Sequence, residues 1–363
     1  MMNKKRRIIL LLCVAVISIF GILMIYSASS IWAKYRFNDS FHFAKLQTIY
    51  VGISVLLMII ISKIDYHFYY KHANVILLIA VILLLLVLVP GIGSLRNGSR
   101  SWFKIGPFGL QPSEFSKLAI IIFLSKYLTR NQKSLKNIKK GLLPVFLVIG
   151  LIFGLIILEP DFGSAMVMMI ALIIIIFSSG VSLSFFAVLG LLGLGGITGL
   201  IIIAPYRLKR IVSFLNPWSD PLGSGYQIIQ SLYAIGPGGL LGLGFGNSIQ
   251  KQFYLPEPQT DFIFAIISEE FGFLGVLFVT SIFAIIFTVI IKISISKNDL
   301  FAKYLSFGLG TQIIVQALLN LCVVVGLIPV TGVTLPFLSY GGSSLLVSMI
   351  SIGIILNIAK NNG

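Results

Sequence analysis

Charge is scarce in this sequence, and negative charge is scarcest. Charged residues make up 10% of the 363 residues, and Asp and Glu together number only 11. A soluble domain carries roughly 25% charged residues, so a water-facing globular surface cannot be built from this composition. Cysteine occurs twice, at Cys13 and Cys322, each inside a separate apolar run. Both are expected as buried thiols, with no disulfide framework or metal site. The three histidines, His42, His67 and His72, have no ligand spacing. No P-loop, GxGxxG fingerprint, Ser-His-Asp set or HExxH occurs, which argues against a nucleotide cofactor and ATP-driven chemistry.

Apolar residues fill the space instead. They make up 57% of the chain, and the mean hydropathy is +1.03. The long runs do not alternate as barrel strands do, so they predict an all-α polytopic integral membrane protein. The runs cover roughly 8–27, 46–62, 74–90, 115–128, 142–158, 162–179, 183–204, 262–291, 304–328 and 341–358, about ten transmembrane helices. The first has a basic start and small residues in "SASS", but it is too long for a signal-peptide core and no A-x-A site follows. It is expected to be retained.

A net charge of +16 could suggest nucleic acid, but the positive-inside rule accounts for it more simply. With Lys4, Lys5, Arg6 and Arg7 in the cytoplasm, alternating spans place Lys63, Lys71, Lys126, Arg130, Lys139, Lys140, Lys292, Lys303 and Lys360 inside as well. All the carboxylates except Asp65 and Asp299 then fall on the outer half. Both termini are expected in the cytoplasm. Two outer segments are long, 91–114 and 205–261. The second is too long for a plain connector, and its "GYQIIQSLYAIGPGG" predicts a short amphipathic helix at the interface. No separate soluble domain and no internal repeat is evident, which predicts one transmembrane domain over 1–363.

The scarce carboxylates are not spread evenly. "PEPQTDFIFAIISEEFGFLG" holds Glu257, Asp261, Glu269 and Glu270. Thr260 or Gln259 is expected to cap the eighth span, which would place Asp261 in its first turn, where the helix dipole favours an acid. Phe262, Ile263 and Phe264 follow it, so partial desolvation should raise its pKa and make it a better base. On a continuous helix Glu269 and Glu270 would lie roughly 12–13 Å deeper. They would also be turned about 80° and about 180° from Asp261. Such groups need partners, either structural ion pairs or a cation or proton pathway. On the same outer side stand Arg100, Trp102, Lys104, Ser113, Glu114 and Lys117. Glu159 and Asp161 lie in "LEPDFGS", and Arg207, Lys209 and Arg210 in "PYRLKR". The basic residues could simply meet lipid headgroups. Interleaved with acids, they also suit a polyanionic lipid-linked substrate.

Taken together, "GSRSWFKIGPFGLQPSEFSKL", "EPDFGSAM", "PYRLKRIVSFLNPWSDPLGSGYQIIQSLYAIGPGGLLGLGFGNS", "LPEPQTDFIFAIISEEFGFLG" and "LPFLSYGGSSLL" resemble the SEDS family of shape, elongation, division and sporulation proteins. They lie closer to its FtsW and SpoVE branch than to RodA. The resemblance spans essentially the whole chain. It implies a peptidoglycan glycosyltransferase of the bacterial cytoplasmic membrane that polymerises lipid II at the outer face. It also implies a class B penicillin-binding protein as transpeptidase partner, within a division or elongation complex. The family's essential aspartate falls on Asp261 and its sensitive tryptophan on Trp102.

In that chemistry Asp261 is expected as general base. The expected substrate contacts are Arg100, Trp102, Glu114, Lys117, Glu159, Asp161, Arg207, Arg210, Thr260 and Glu270. Arg and Lys, or a divalent cation (magnesium or manganese), would stabilise the departing pyrophosphate. A lipid II flippase and a non-catalytic scaffold for the transpeptidase are the alternatives. A flippase needs charge through the full depth of the membrane, whereas here the acids cluster outward.

Overall fold

A chain in hydrocarbon must satisfy its own backbone polar groups, so every long apolar run becomes a helix. The computed structural model describes residues 2–96, 99–106, 108–135, 137–203 and 214–360. The first seven helices are α1 (Met2–Phe37), α2 (His42–Ile61), α3 (His67–Leu88), α4 (Pro112–Arg130), α5 (Leu143–Leu158), α6 (Phe162–Ser178) and α7 (Leu183–Ile203). A short helix, α8 (Tyr226–Ile235), precedes α9 (Ile263–Ile295), α10 (Leu300–Val324) and α11 (Gly342–Lys360). Among the described residues the long helices follow the ten apolar runs. Seven of them, α1 to α3, α5 and α9 to α11, are long and apolar enough to cross a membrane by length and composition. The chain is a multi-pass helical membrane protein. Leu12, Leu23, Leu56, Leu78 and Leu147 point outward, where acyl chains rather than water would meet them.

The inner helices are more polar than the outer ones. α4 is enclosed on most sides yet carries Ser113, Glu114, Ser116, Lys117 and Ser125 as buried residues. It packs beside α3 and α10, and α11 fits against α2. α10 and α11 are mostly buried. Cys13 and Cys322 are free but only half-buried. Both differ from the sequence expectation because each faces the rim of the bundle rather than its centre.

Hydrogen bonds gather the connections into two ends. At one end Arg6 donates to the Lys292 carbonyl, Gln132 to the Tyr304 hydroxyl, and Asn357 links Ser62 to Tyr66. At the other end, Gln47 donates to the Ser339 carbonyl and the Tyr340 N–H to the Gln259 carbonyl. Segment 91–111 lies here too, not as plain loop but as a small antiparallel sheet of β1 (Ser94–Arg96), β2 (Ser99–Ile105) and β3 (Phe108–Leu110). Its order is β1-β2-β3, with Ser94 opposite Trp102 and Phe103 opposite Leu110.

In the second long segment, residues 226–251 fold back into the bundle. α8 is docked by Ser231, whose hydroxyl donates to the Val324 carbonyl at 2.7 Å. Residues 239–244 lie along α9 where that helix breaks. Gly272 has φ of 58°, outside helical geometry, and this leaves carbonyls above the break without helical donors. The loop supplies them: Leu243 N–H bonds the Glu269 carbonyl at 2.9 Å, and Gly244 N–H bonds the Glu270 carbonyl at 3.0 Å. Phe273 N–H returns a bond to the Gly239 carbonyl at 2.9 Å. A Cβ on Gly242 would stand 2.2 Å from the Glu270 carbonyl oxygen, so no larger residue fits this contact.

Candidate active site

Asp261 lies at the end that carries the sheet and the 329–341 segment. It is not in the first turn of its helix. α9 begins at Ile263 with Phe262 at the N-cap, and no side chain caps it. Neither Thr260 nor Gln259 takes that role. The Thr260 hydroxyl instead bonds the Glu257 carbonyl at 2.8 Å and Asp261 Oδ1 at 2.9 Å. Asp261 therefore sits in an irregular turn that is fixed from several sides. Thr260 N–H bonds the Glu257 carbonyl, and Tyr340 N–H bonds the Gln259 carbonyl at 2.8 Å. Asn320 Nδ2 of α10 bonds the Asp261 carbonyl at 2.7 Å and the Val333 carbonyl at 2.7 Å.

The half-buried Asp261 side chain stands beside fully buried Phe262 and Ile263. Burial pushes its carboxyl up to about 6; the Thr260 hydroxyl pulls it down, and the Glu257 charge adds a smaller upward push. Above that pH the group is a carboxylate with unusual proton affinity, which is what a general base near neutrality needs.

The other expected contacts divide into groups. Glu114 and Lys117 face inward rather than toward a substrate. They form a buried ion pair at 2.8 Å, with side chains 8% and 1% exposed. Lys117 Nζ also donates to Gln316 Oε1 at 2.9 Å, and Gln316 Nε2 bonds Ser344 Oγ at 2.8 Å. The ammonium expected to meet pyrophosphate is thus spent inside the bundle. Desolvation explains this, because a lysine at that depth must be paired.

Asp161 is a structural tie. Its Oδ2 accepts from Gln111 Nε2 and Ser113 Oγ, each at 2.8 Å, and its Oδ1 caps α6 through Ser164 N–H at 3.1 Å. Glu159 is fully buried, and neither of its carboxylate oxygens has a hydrogen-bond partner among the described residues. Burial, reinforced by the Asp161 charge, pushes its carboxyl up to about 9. At neutral pH it is therefore a neutral acid, not an anionic contact. Its backbone carbonyl accepts from Ser101 Oγ at 2.9 Å and from Ser99 Oγ, which seats the sheet on the α5–α6 turn.

Arg100 and Trp102 lie on β2, both partly exposed. Arg207, Lys209 and Arg210 lie outside the described residues. Glu269 and Glu270 do not stand alone at depth, because the folded-back loop meets them. Glu269 accepts from Ser248 Oγ at 2.5 Å and Ile249 N–H at 2.8 Å. Glu270 pairs with buried Lys251 at 2.9 Å and accepts from Ser27 Oγ at 2.6 Å. Of the two roles open for them in the sequence, these contacts fit structural pairing.

Sequence reasoning missed Asn320, Gln316 and Lys251. A signal existed for the first two: Gln312, Gln316 and Asn320 recur every four residues along an otherwise apolar helix, marking one polar inward stripe. Lys251 carried no such signal, because its partner is brought near only by the fold.

Fold and site define a polytopic helical membrane protein that holds one activated carboxylate where its loops converge. The chain belongs to the FtsW/RodA/SpoVE family of cell cycle proteins, which it matches over residues 7–363. Stage V sporulation protein E of Bacillus subtilis (strain 168) is 48% identical over 340 residues, covering 94% of this chain and 93% of that protein. A probable peptidoglycan glycosyltransferase FtsW of Geobacter sp. (strain M18) is 40% identical over 351 residues, covering 97% of this chain and 96% of the relative. In a solved peptidoglycan synthase complex, described for its coordination of polymerization and crosslinking, one chain superposes with a TM-score of 0.79. That chain is 29% identical, with 97% of each chain covered.

Proposed function

We infer that this protein is a peptidoglycan glycosyltransferase that polymerises lipid II at the outer face of the cytoplasmic membrane, with Asp261 as general base. The carrying observation is the Asp261 carboxyl, pushed up to about 6 and pinned where α10, the 329–341 segment and the mouth of α9 meet. Membership of a family with relatives named peptidoglycan glycosyltransferase supports the reaction.

In the reaction, the 4-hydroxyl of one GlcNAc attacks C1 of another chain's MurNAc. The new C1–O bond forms with inversion as the bond to undecaprenyl pyrophosphate breaks, and the leaving group takes the electron pair. The hydroxyl proton passes to Asp261. Pyrophosphate needs no proton to leave, so one carboxylate serves where glycoside hydrolysis uses two. A positioned base contributes about a hundredfold to ten-thousandfold. Arg100, and Arg207 and Arg210 outside the described residues, are the proposed cations for the pyrophosphate. No group of three or more metal-ligating side chains gathers among the described residues. Magnesium usually binds through one or two carboxylates together with substrate phosphates, so a divalent cation on the pyrophosphate would need no such cluster and stays part of the proposal. A class B penicillin-binding protein is the proposed partner, by the likeness to the synthase complex.

The test is glycan polymerisation from lipid II by purified protein, with and without the partner. Asp261→Asn should lose at least about a hundredfold in rate while folding and partner binding persist. Polymer from that variant at the wild-type rate would remove Asp261 as base. Lipid II translocation without polymer would favour the flippase.

A further inference from the structure

We propose that Asn320 is the positioning residue of Asp261, a side-chain staple from α10 that fixes the turn carrying the base. The proposal rests on the reading of Asp261 as general base and adds the group that holds it.

Asp261 lies outside the helix that follows it. It precedes α9 and has no helical hydrogen-bond ladder of its own, and the N-cap residue after it makes no side-chain bond. Glu257, four residues earlier, has φ of 44°, a conformation an L residue adopts only when its surroundings impose it. A turn built this way keeps one shape only if neighbouring elements hold it. Among the described residues, two hydrogen bonds from outside reach it. One is the Tyr340 N–H on the Gln259 carbonyl, a backbone bond that any residue at 340 except proline could make. The other is the amide of Asn320 on the carbonyl of Asp261 itself, at 2.7 Å. Of these two bonds, the second runs through a side-chain amide.

Asn320 is placed to do this and little else. It is 1% exposed, deep on α10 among apolar residues, where an amide is costly unless bonded. Both bonds run from Nδ2, one to the Asp261 carbonyl and one to the Val333 carbonyl, each at 2.7 Å. Two carbonyl partners require two N–H donors, so the amide orientation is settled by its partners. Its Oδ1 is left without a partner among the described residues, an expense accepted for the two donors. One turn earlier on the same face, Gln316 bonds the Thr334 carbonyl at 3.1 Å and Lys117 Nζ at 2.9 Å. Residues 333–334 are thereby held by both amides, and Asn320 ties Asp261 to that fixed point. A base displaced by about 1 Å costs about a hundredfold in rate even when it still titrates, so the staple acts on the chemical step rather than on binding.

The experiment uses the full-length protein with lipid II and its transpeptidase partner, comparing wild type, Asn320→Leu and Asn320→Asp. Leu and Asp keep the shape of the side chain and lose both amide donors. Each variant should lower kcat ten- to a hundredfold while KM for lipid II stays within about threefold. Amide hydrogen exchange read in parallel should quicken at residues 257–262 and stay unchanged in α4 and α11. Wild-type kcat in both variants overturns the proposal, as does unchanged exchange at 257–262. So does a loss carried by KM, or faster exchange throughout the bundle, since either assigns Asn320 to general packing. If wild type makes no polymer, the glycosyltransferase reading fails on its own. The exchange measurement then still decides whether Asn320 holds the turn.

Discussion

At the scale of single residues, charge burial governs what can be changed. Lys117→Met leaves Glu114 buried without its cation and should destabilise by about 3–5 kcal/mol, read as thermal unfolding in detergent. Adding Glu114→Gln should recover part of that loss, because the stranded charge goes with it. A double variant no more stable than the single one would mean the pair is not the source. Asp261 predicts a pH profile. A base works only when ionised, so kcat/KM should fall as pH drops through about 6, well above the ordinary carboxylate range. An acid limb near 4 would count against a desolvated base.

Glu159 gives the opposite sign, in stability. Its carboxyl rises from 4.5 to about 9 in the fold, so between those values the folded state holds a proton the unfolded chain has released. Stability should therefore decline as pH rises through that window. Glu159→Gln has no such proton to hold, so its stability relative to wild type should improve steadily from pH 5 to pH 8. A constant difference would show that Glu159 is not protonated. None of these pairings was readable in the sequence. It shows a lysine three residues after a glutamate at 114 and 117, but not that α10 closes over both.

At the scale of elements, the sequence was informative wherever hydropathy decides. Runs such as 46–62 and 341–358 became α2 and α11 with ends shifted by a few residues, and the amphipathic stretch after Gly225 became α8. Two elements escaped. The sheet β1-β2-β3 has short strands broken by polar residues, and its hold on Glu159 comes from the distant α5–α6 turn. The break in α9 escaped because a lone glycine in an apolar run reads as helix packing until another segment is seen to touch it. Here Gly242→Ala should destabilise by at least about 2 kcal/mol, since its Cβ would meet the Glu270 carbonyl oxygen at 2.2 Å. Protease cleavage within 236–254 should become faster in the same variant. Wild-type resistance would mean the loop shifts freely to make room.

At the scale of the whole molecule, ten hydrophobic runs and the distribution of basic residues predict which connections share an end, and hydrogen bonds link connections at each of two ends. The positions of the active-site partners were not legible, because Asn320 meets Asp261 across 59 positions of chain and Lys117 meets Gln316 across 199. The orientation in the bilayer can be tested directly. Lys104→Cys, exposed on β2, should react with a membrane-impermeant maleimide from outside intact cells. Lys139→Cys, exposed near the start of α5, should react only after the membrane is opened. The reverse pattern would invert the topology and remove Asp261 from the lipid-linked substrate.

The break in α9 also bears on how the protein is made. A nascent chain entering the bilayer can complete most helices alone, since each supplies its own donors. The stretch from Glu269 to Leu274 cannot, because its missing donors and acceptors belong to residues 239–244. Two carbonyls must stay wet, or wait, until residues 239–244 have folded back against them. Completion of α9 therefore depends on that docking, and the turn that presents Asp261 lies between the two parts that must find each other.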